Sequence, residues 1–259
     1  MIAETAKGRD DSVVMAGAHL DSVHDGAGIN DNGSGSAAIL ETAIQLSKAN
    51  KLNNKVRFAW WSAEELGLLG SNHYVADLQA NDPAALKDIA TYLNFDMVAS
   101  PNHIIGVYDA DQSTYPAPVG VTVPKGSIET EDVLTDWFDS QGQPWVDTAF
   151  SGRSDYQAFI NAGVPASGLF TGADGTKTPA EVELFGGTAG VTYDPNYHTS
   201  QDDITNVNEG ALDIMSDAIA AATTTLAQDT SAINGKVSPT KPGKRSKDIV
   251  MHGELHKAS

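Results

Sequence analysis

The run Ala16–Ser36, AGAHLDSVHDGAGINDNGSGS, decides how the chain is read. It continues the apolar stretch Val13-Val14-Met15-Ala16-Gly17-Ala18, which has the composition of a buried strand, and it delivers His19 and Asp21 where that strand stops. A loop rich in Gly, Asn and Asp follows, with Gly26, Gly28, Gly33 and Gly35 as its flexible points and Asp31 near its end. A helix is predicted from about Ser34. Glycine lets a backbone take positive φ and pass close to other atoms. A loop of this kind after a strand shapes a site, because open α/β sheets bind ligands beyond the C-terminal ends of their strands. His19 and Asp31 are good ligands for a borderline cation such as zinc. Taken alone the stretch is weak, since His-x-Asp arises by chance.

Reading outward, a short strand is predicted at Ile2–Thr5, then a turn through Lys7–Asp11. Val56-Arg57-Phe58-Ala59-Trp60-Trp61 is an apolar, aromatic run expected of a strand buried on both faces, and it ends in Ser62-Ala63-Glu64-Glu65. Helical spacing follows over GLLGSNHYVADL, and Asp82-Pro83 starts a predicted helix over about 82–90. ATYLNFDMV is a further buried strand with Asp96 near its end, and Ile104–Tyr108 is another. An amphipathic helix is predicted over Thr130–Gln141 and a short one over Tyr156–Asn161, stopped by Gly163. A strand is predicted at Val164–Phe170, with Pro165 confined to its first residues or an edge. Residues 171–195 show no clear element and are expected to surround a site. The last predicted helix is Glu209 to about Ala227. The alternation predicts an α/β fold: three layers, with a central mixed, mainly parallel sheet flanked by helices. One domain is expected over 1–233, with 234–259 a disordered tail or remnant of Pro, Lys, Ser and Gly.

With 259 residues, 41% of them hydrophobic, the chain can bury a sizeable core. Its net charge of −18 makes nucleic acid and anionic membranes poor partners. Cysteine is absent, which excludes disulfides, thiolate ligands and thiol nucleophiles. No apolar run reaches membrane-spanning length, and MIAETAKGRDD lacks the charged and apolar regions of a signal peptide. The lack of a G-x-S-x-G elbow argues against a serine hydrolase. His24, His73, His103, His252 and His256 have no partner pattern and are expected at the surface.

Three buried strands thus end in acids or histidine: His19, Glu64-Glu65 and Asp96. In a parallel sheet those ends share one edge, so the side chains can converge. Carboxylates gathered there repel one another and resist burial, at a cost of several kcal/mol each. Two divalent cations remove the penalty, and the adjacent Glu pair then makes sense, one carboxylate ligating while its neighbour stays free as a base. Taken singly, each residue is as well explained by a surface Glu pair, a solvated Asp or a satisfied His. The set together is not.

The motifs GAHLDSV, GINDNGSGSAAILE, RFAWWSAEELGLLGS, YLNFDM, SGRSDYQAF, SGLFTGA and YDPNYHTSQDD occur in order between about Ile2 and Ala227. In them the chain resembles the two-zinc aminopeptidases, in particular the secreted bacterial and fungal leucine aminopeptidases. That resemblance implies His19 and Asp96 on one zinc, Glu65 and His198 on the other, and Asp31 bridging both. It implies Glu64 as general base, Asp21 as the carboxylate that orients His19, and a cis bond from Asp31 to Asn32. Arg153, Phe170 and Tyr197 match positions that line the substrate pocket or contact the scissile carbonyl, with Gly152 on the same wall, and Tyr197 would donate to the oxyanion. The implied activity is release of apolar, leucine-type N-terminal residues from peptides by a secreted monomer. The alternatives are a binding module that kept the fold, or a carboxypeptidase or amidase on the same scaffold. Asp213 and Asp217, one helical turn apart, would furnish half a calcium site, solvent-exposed acids being the simpler reading.

The sequence departs from the family in three places. The N-terminal helix and first strand that usually come before are expected to be missing. The cysteines that often flank the histidine, in D-P-C-Y-H-x-x-C, are replaced by Asn196 and Gln201, so the loop of His198 is expected to be held less firmly. The tail after about Gln228 has no family counterpart.

Overall fold

In the computed structural model, which describes residues 1–49 and 51–237, the strands are β1 (Ile2–Glu4), β2 (Arg9–His19), β3 (Asn54–Trp61), β4 (Ile89–Asp96), β5 (Gly106–Tyr108), β6 (Val146–Thr148) and β7 (Ala166–Phe170). They form one sheet in the order β1-β3-β2-β4-β7-β5-β6. The inner pairs β2·β3, β2·β4 and β4·β7 are parallel, while β1 and β5 join antiparallel to β3 and β7. The apolar runs read from the sequence lie at the centre: β4 is buried over its whole length and β2 over its last eight residues.

Burial on both faces follows from helices on both. On one side α1 (Gly35–Ser47), α4 (Ser127–Gln141) and α7 (Glu209–Gln228) place Ile39, Leu134, Phe138, Met215 and Ile219 against Val14, Phe58, Leu93 and Phe95 of the sheet. On the other side α2 (Leu69–Asn81), α3 (Pro83–Lys87) and α5 (Tyr156–Asn161) bring Val75, Leu86 and Phe159 against Met15, Trp61 and Tyr92. Each such large apolar side chain stabilises the fold by about 1.5–3 kcal/mol. Two further α-helices are α6 (Pro179–Phe185) and α8 (Ser231–Asn234). Among the described residues no helix is long and apolar enough to cross a membrane.

Register carries the functional consequence. His19 pairs with Trp61, Gly17 with Asn94, and Asp96 with Phe170. The C-terminal ends of β2, β3, β4 and β7 are therefore level along one edge of the sheet.

Several predicted elements differ in extent. The turn before β2 is shorter than expected, since Arg9 already pairs with Asn54. The helix after Pro83 ends at Lys87, because Ile89 begins β4. Pro165 precedes an inner strand rather than an edge, and its carbonyl accepts from Tyr92 N–H at 2.9 Å. Residues 171–195 do contain an element, α6, which starts at a capping box: Thr178 accepts from Glu181 N–H and the Glu181 side chain accepts from Thr178 N–H. It buries none of its residues, so no apolar periodicity announces it. Strand β6 was also not foreseen. Of the tail expected at 234–259, only 234–237 are among the described residues. Asn234 there ends α8 and donates to Ser12 Oγ at 2.8 Å.

Candidate metal centre

At the level edge, the loop after β2 returns through Gly28–Ser34 to start α1. The bond from Asp31 to Asn32 is cis. Asn32 Oδ1 accepts from Gly35 N–H (3.0 Å) and Met97 N–H (3.2 Å), and its amide donates to Phe95 O (2.9 Å), which fastens the loop onto β4. A side chain at Gly35 would stand 2.4 Å from Phe95 O, so only glycine lets α1 begin this close to the strand. The main-chain N–H groups of Asn30 and Asp31 donate to the two oxygens of buried Asp202 at 2.9 and 3.0 Å. Asp202 thereby joins the Asp31 loop to the loop that carries His198.

His198 has φ +60, and Ala63 and Met97, each next to an acid of the cluster, have φ +57 and +48. Left-handed backbone at a non-glycine residue costs on the order of 1–3 kcal/mol and tends to collect at functional sites. The His198 loop is held without cysteine. Asn196 donates to Asn206 Oδ1 (2.9 Å), and Asn206 donates onward to Asp194 and Asp202 (2.9–3.0 Å). The less firm hold expected of Asn196 is thus offset by a buried amide–carboxylate network.

Eight of the eleven sequence-predicted site residues meet in one cleft of about 210 Å³: His19, Asp31, Glu64, Glu65, Asp96, Arg153, Phe170 and Tyr197. His198, Asp21 and Gly152 sit around it. Ligand atoms of His19, Asp31 and Asp96 lie within 4.8 Å of one another, and so do those of Asp31, Glu65 and His198. His19 Nε2 is 3.1 Å from Asp31 Oδ1 and 3.2 Å from Asp96 Oδ1. His198 Nε2 is 3.1 Å from Asp31 Oδ2 and 3.0 Å from Glu65 Oε2. Asp31 therefore turns one oxygen toward each histidine. Neither His198 Nε2 nor Glu65 Oε1 has an aligned hydrogen-bond partner. Buried imidazole nitrogens and carboxylate oxygens that converge, with His198 Nε2 and Glu65 Oε1 left unpartnered, fit a cation, and imidazole with carboxylate is a donor set suited to zinc.

Asp21 stands beside His19, as the resemblance implies, and faces it with two different oxygens. Its carbonyl, rather than its carboxylate, is 3.0 Å from His19 Nδ1, with the nearer carboxylate oxygen at 3.7 Å. Nε2 is the atom turned to the cluster, and with Nδ1 donating to that carbonyl it would offer its lone pair to a bound cation. The Asp21 carboxylate instead accepts from the N–H groups of Glu64 (3.1 Å) and Glu65 (3.3 Å) and fixes the turn bearing the acid pair. Arg153 is bidentate to Asp174 (2.9 and 3.3 Å) and also donates to the Tyr197 hydroxyl at 3.3 Å. The Tyr197 ring stacks on His198 with centroids 3.7 Å apart. Phe170 lines the cleft with Tyr108, Met97 and Tyr193. Gly152 does not line it and gives its N–H to Tyr156 Oη at 2.8 Å.

Protonation reflects the crowding. Burial, and then the Asp96 carboxylate, push Glu64 up to about 9. Burial and the Asp31 charge push Glu65 up to about 7. Burial works upward on Asp31 too, but His19 and His198 outweigh it and bring it to about 2. For His19, burial opposes the charge while Asp96, Asp21 and Asp31 favour it, and the net shift is well upward.

Elsewhere, Asp213 and Asp217 are both exposed on α7, and no third ligating residue closes on them among the described residues. His103 is half-buried rather than at the surface, with Nδ1 3.2 Å from the Asn208 amide. His252 and His256 lie outside the described residues. Sequence reading missed Ser154, which donates to Asp96 Oδ2 at 2.5 Å, and also Asp174 and Asp202. Only Ser154 and Asp202 fell inside motifs that had been singled out.

Comparison with known proteins follows the same lines. The profile of peptidase family M28 matches residues 1–223. The chain is 51% identical over 245 residues to a probable leucine aminopeptidase 2 of Arthroderma benhamiae, covering 95% of this chain and 47% of that protein. It is 47% identical over 251 residues to an aminopeptidase of Pseudomonas aeruginosa, covering 97% of this chain and 45% of the other. The chain thus spans about half the length of the curated relatives it matches. Among solved structures, BSAP, a zinc aminopeptidase from Bacillus subtilis, superposes with a TM-score of 0.68 at 27% identity, over 90% of this chain and 51% of that one.

Proposed function

The chain belongs to peptidase family M28, and on that premise we propose that residues 1–233 form the catalytic domain of a two-zinc aminopeptidase that releases apolar, leucine-type residues from free N-termini. His19, Asp31 and Asp96 would hold one zinc, and Asp31, Glu65 and His198 the other. The observation that carries the reading is Asp31, whose two oxygens face two different histidines at 3.1 Å each, as a bridging carboxylate must. Bound zinc supplies Lewis acidity, lowering the pKa of water toward neutrality and polarising the scissile carbonyl.

The remaining work falls to side chains. Glu64 is buried at the cleft and, on this reading, free of ligation, so its carboxylate takes the proton of the attacking water and returns it to the leaving amine. Its pKa of about 9, set by burial and Asp96, would be lowered toward the working range with cations held by the neighbouring ligands. Arg153 donates to the Tyr197 oxygen, which leaves the phenolic proton for the substrate carbonyl oxygen. Glu64 and Asp96 offer the substrate ammonium an acidic partner, and the wall of Phe170, Tyr108 and Met97 takes the first side chain. Arg153 is already committed to Asp174, which supports an aminopeptidase over a carboxypeptidase needing a free cation for the terminal carboxylate.

Acetylating the substrate amine removes its charge and leaves buried carboxylates unpaired, a penalty of about 2–5 kcal/mol. With zinc present, leucine p-nitroanilide is expected to be cleaved at least about thirty-fold faster than its N-acetyl form. Equal rates would overturn the aminopeptidase reading and leave a less specific amidase.

A further inference from the structure

Beneath the candidate centre runs a chain of buried hydrogen bonds that ends on Asp96. Trp61 Nε1 donates to Tyr92 Oη (2.9 Å), and Tyr92 Oη donates to Asn94 Oδ1 (3.0 Å). Asn94 Nδ2 donates to Ser154 Oγ (2.9 Å), and Ser154 Oγ donates to Asp96 Oδ2 (2.5 Å). None of the five residues is more than 8% exposed. The direction is fixed by chemistry at both ends: an indole N–H can only donate, and a carboxylate that ligates a cation can only accept. Every link between must then point toward Asp96. The Tyr108 hydroxyl faces the same Asn94 amide.

The strand beside it leaves room for this chain. Gly17, in β2, has ordinary strand backbone, yet a Cβ there would stand 2.3 Å from Tyr92 Oη and 2.8 Å from Trp61 Nε1. The tyrosine is locked from its other side by the Phe159 ring, stacked at 3.9 Å and 6°. At the far end the proton from Ser154 occupies Asp96 Oδ2, while Oδ1 is the atom 3.2 Å from His19 Nε2. One oxygen is thus tied back and the other is turned to the cluster.

We propose that Tyr92 and Asn94 are positioning residues for the metal ligand Asp96, acting through Ser154 to fix which carboxylate oxygen faces the ion shared with His19. The inference rests on the two-zinc reading above. Groups that orient a ligand from behind typically govern metal affinity by 10–100-fold. Asn94 is the decisive link, because it alone converts an accepted hydrogen bond into a donated one through an amide of fixed polarity.

The test is the zinc affinity of the metal-stripped full chain, measured by competition with a chelator of known affinity. Asn94→Asp keeps size and shape but has no proton for Ser154 Oγ, and it competes with Asp96 for the serine proton. One of the two zinc dissociation constants is expected to rise about ten-fold or more, with the other within two-fold of wild type. Tyr92→Phe removes only the hydroxyl and is expected to weaken the same step by a smaller factor; it decides the matter if Asn94→Asp does not fold. Simple attraction between an added negative charge and zinc predicts the opposite sign for Asn94→Asp. Tighter binding, unchanged binding, or equal weakening at both steps would each overturn the proposal and leave the two-zinc reading standing. A wild-type chain that takes up no zinc would overturn both.

Discussion

Two clusters of acids in this fold gather their carboxylate oxygens equally closely and satisfy them differently. In Asp109, Glu131 and Asp147 the ligand-type atoms lie within 4.8 Å, as they do around His19 and His198. The Asp109 oxygens accept from the main-chain N–H groups of Ser113, Thr114 and Tyr115. Glu131 Oε2 accepts from those of Ala110 and Asp111, and Asp147 Oδ2 accepts from the hydroxyls of Ser113 and Thr114. The loop 109–115 is folded around its acids, and among their buried oxygens in the described residues Asp147 Oδ1 lacks a partner. In the other cluster the main-chain N–H groups of Asp31, Glu64 and Glu65 donate to Asp202 and Asp21 behind them, while the side-chain oxygens and imidazole nitrogens face one another across the cleft. Proximity of acids is thus a poor guide to a metal centre. The direction in which their donors lie separates a loop clamp from a site.

The comparison is broken most severely at Glu64. Glu64→Ala is expected to keep zinc yet lose at least about a hundred-fold in turnover of an aminoacyl chromogenic amide, the usual scale for a general base. Near-normal turnover would show that the acid pair is not divided between ligand and base.

The next largest effect concerns pH and metal. Without metal, Glu64 at about 9, Glu65 at about 7 and Asp155 at about 7 all lie above their ordinary values, chiefly through burial. The folded state then holds more protons than the unfolded chain from about pH 4.5 upward, so stability falls as pH rises through those folded values. Asp31, depressed to about 2, acts in the opposite sense, but only in acid. Calorimetry of chelator-treated protein is expected to show the melting temperature falling between about pH 5 and 9, with zinc removing most of that slope. Glu131, pushed up to about 7 by burial and outside the centre, leaves a residual slope that zinc does not touch. A metal-free melting temperature that rises over this range would contradict the assignment.

The smallest expected effect is at the clamp. Glu131→Ala frees two main-chain donors and is expected to cost about 1–3 kcal/mol, roughly 2–4 °C per kcal/mol in melting temperature, with zinc content unchanged. A loss of zinc in that variant would erase the distinction between the two clusters.

What was legible in the sequence was what strands announce locally. Apolar runs that end in His19, Glu64-Glu65 and Asp96 predicted one sheet edge, because parallel strands align their ends and buried acids there need a counter-charge. His198 and Tyr197 lie in no periodic element and were reached only through the resemblance of YDPNYHTSQDD. Contacts made at long separation left no local trace: Asp202 beneath Asp31 and Asn206 beneath Asn196 were not foreseen, nor was Ser154 behind Asp96. The same holds for Gly17, whose missing side chain makes space for a hydroxyl and an indole on two other strands. Helix α6 escaped notice because it is short and opens on a capping box, and only Val182 and Phe185 give it an apolar side, both half-buried.

The central claim is that Asp31 bridges two zinc ions, and zinc content measured beside its alanine variant tests it most directly. Wild-type protein dialysed against zinc and then buffer is expected to hold two ions per chain, and Asp31→Ala none or a small fraction of one. An Asp31→Ala protein that still holds two ions would contradict the account.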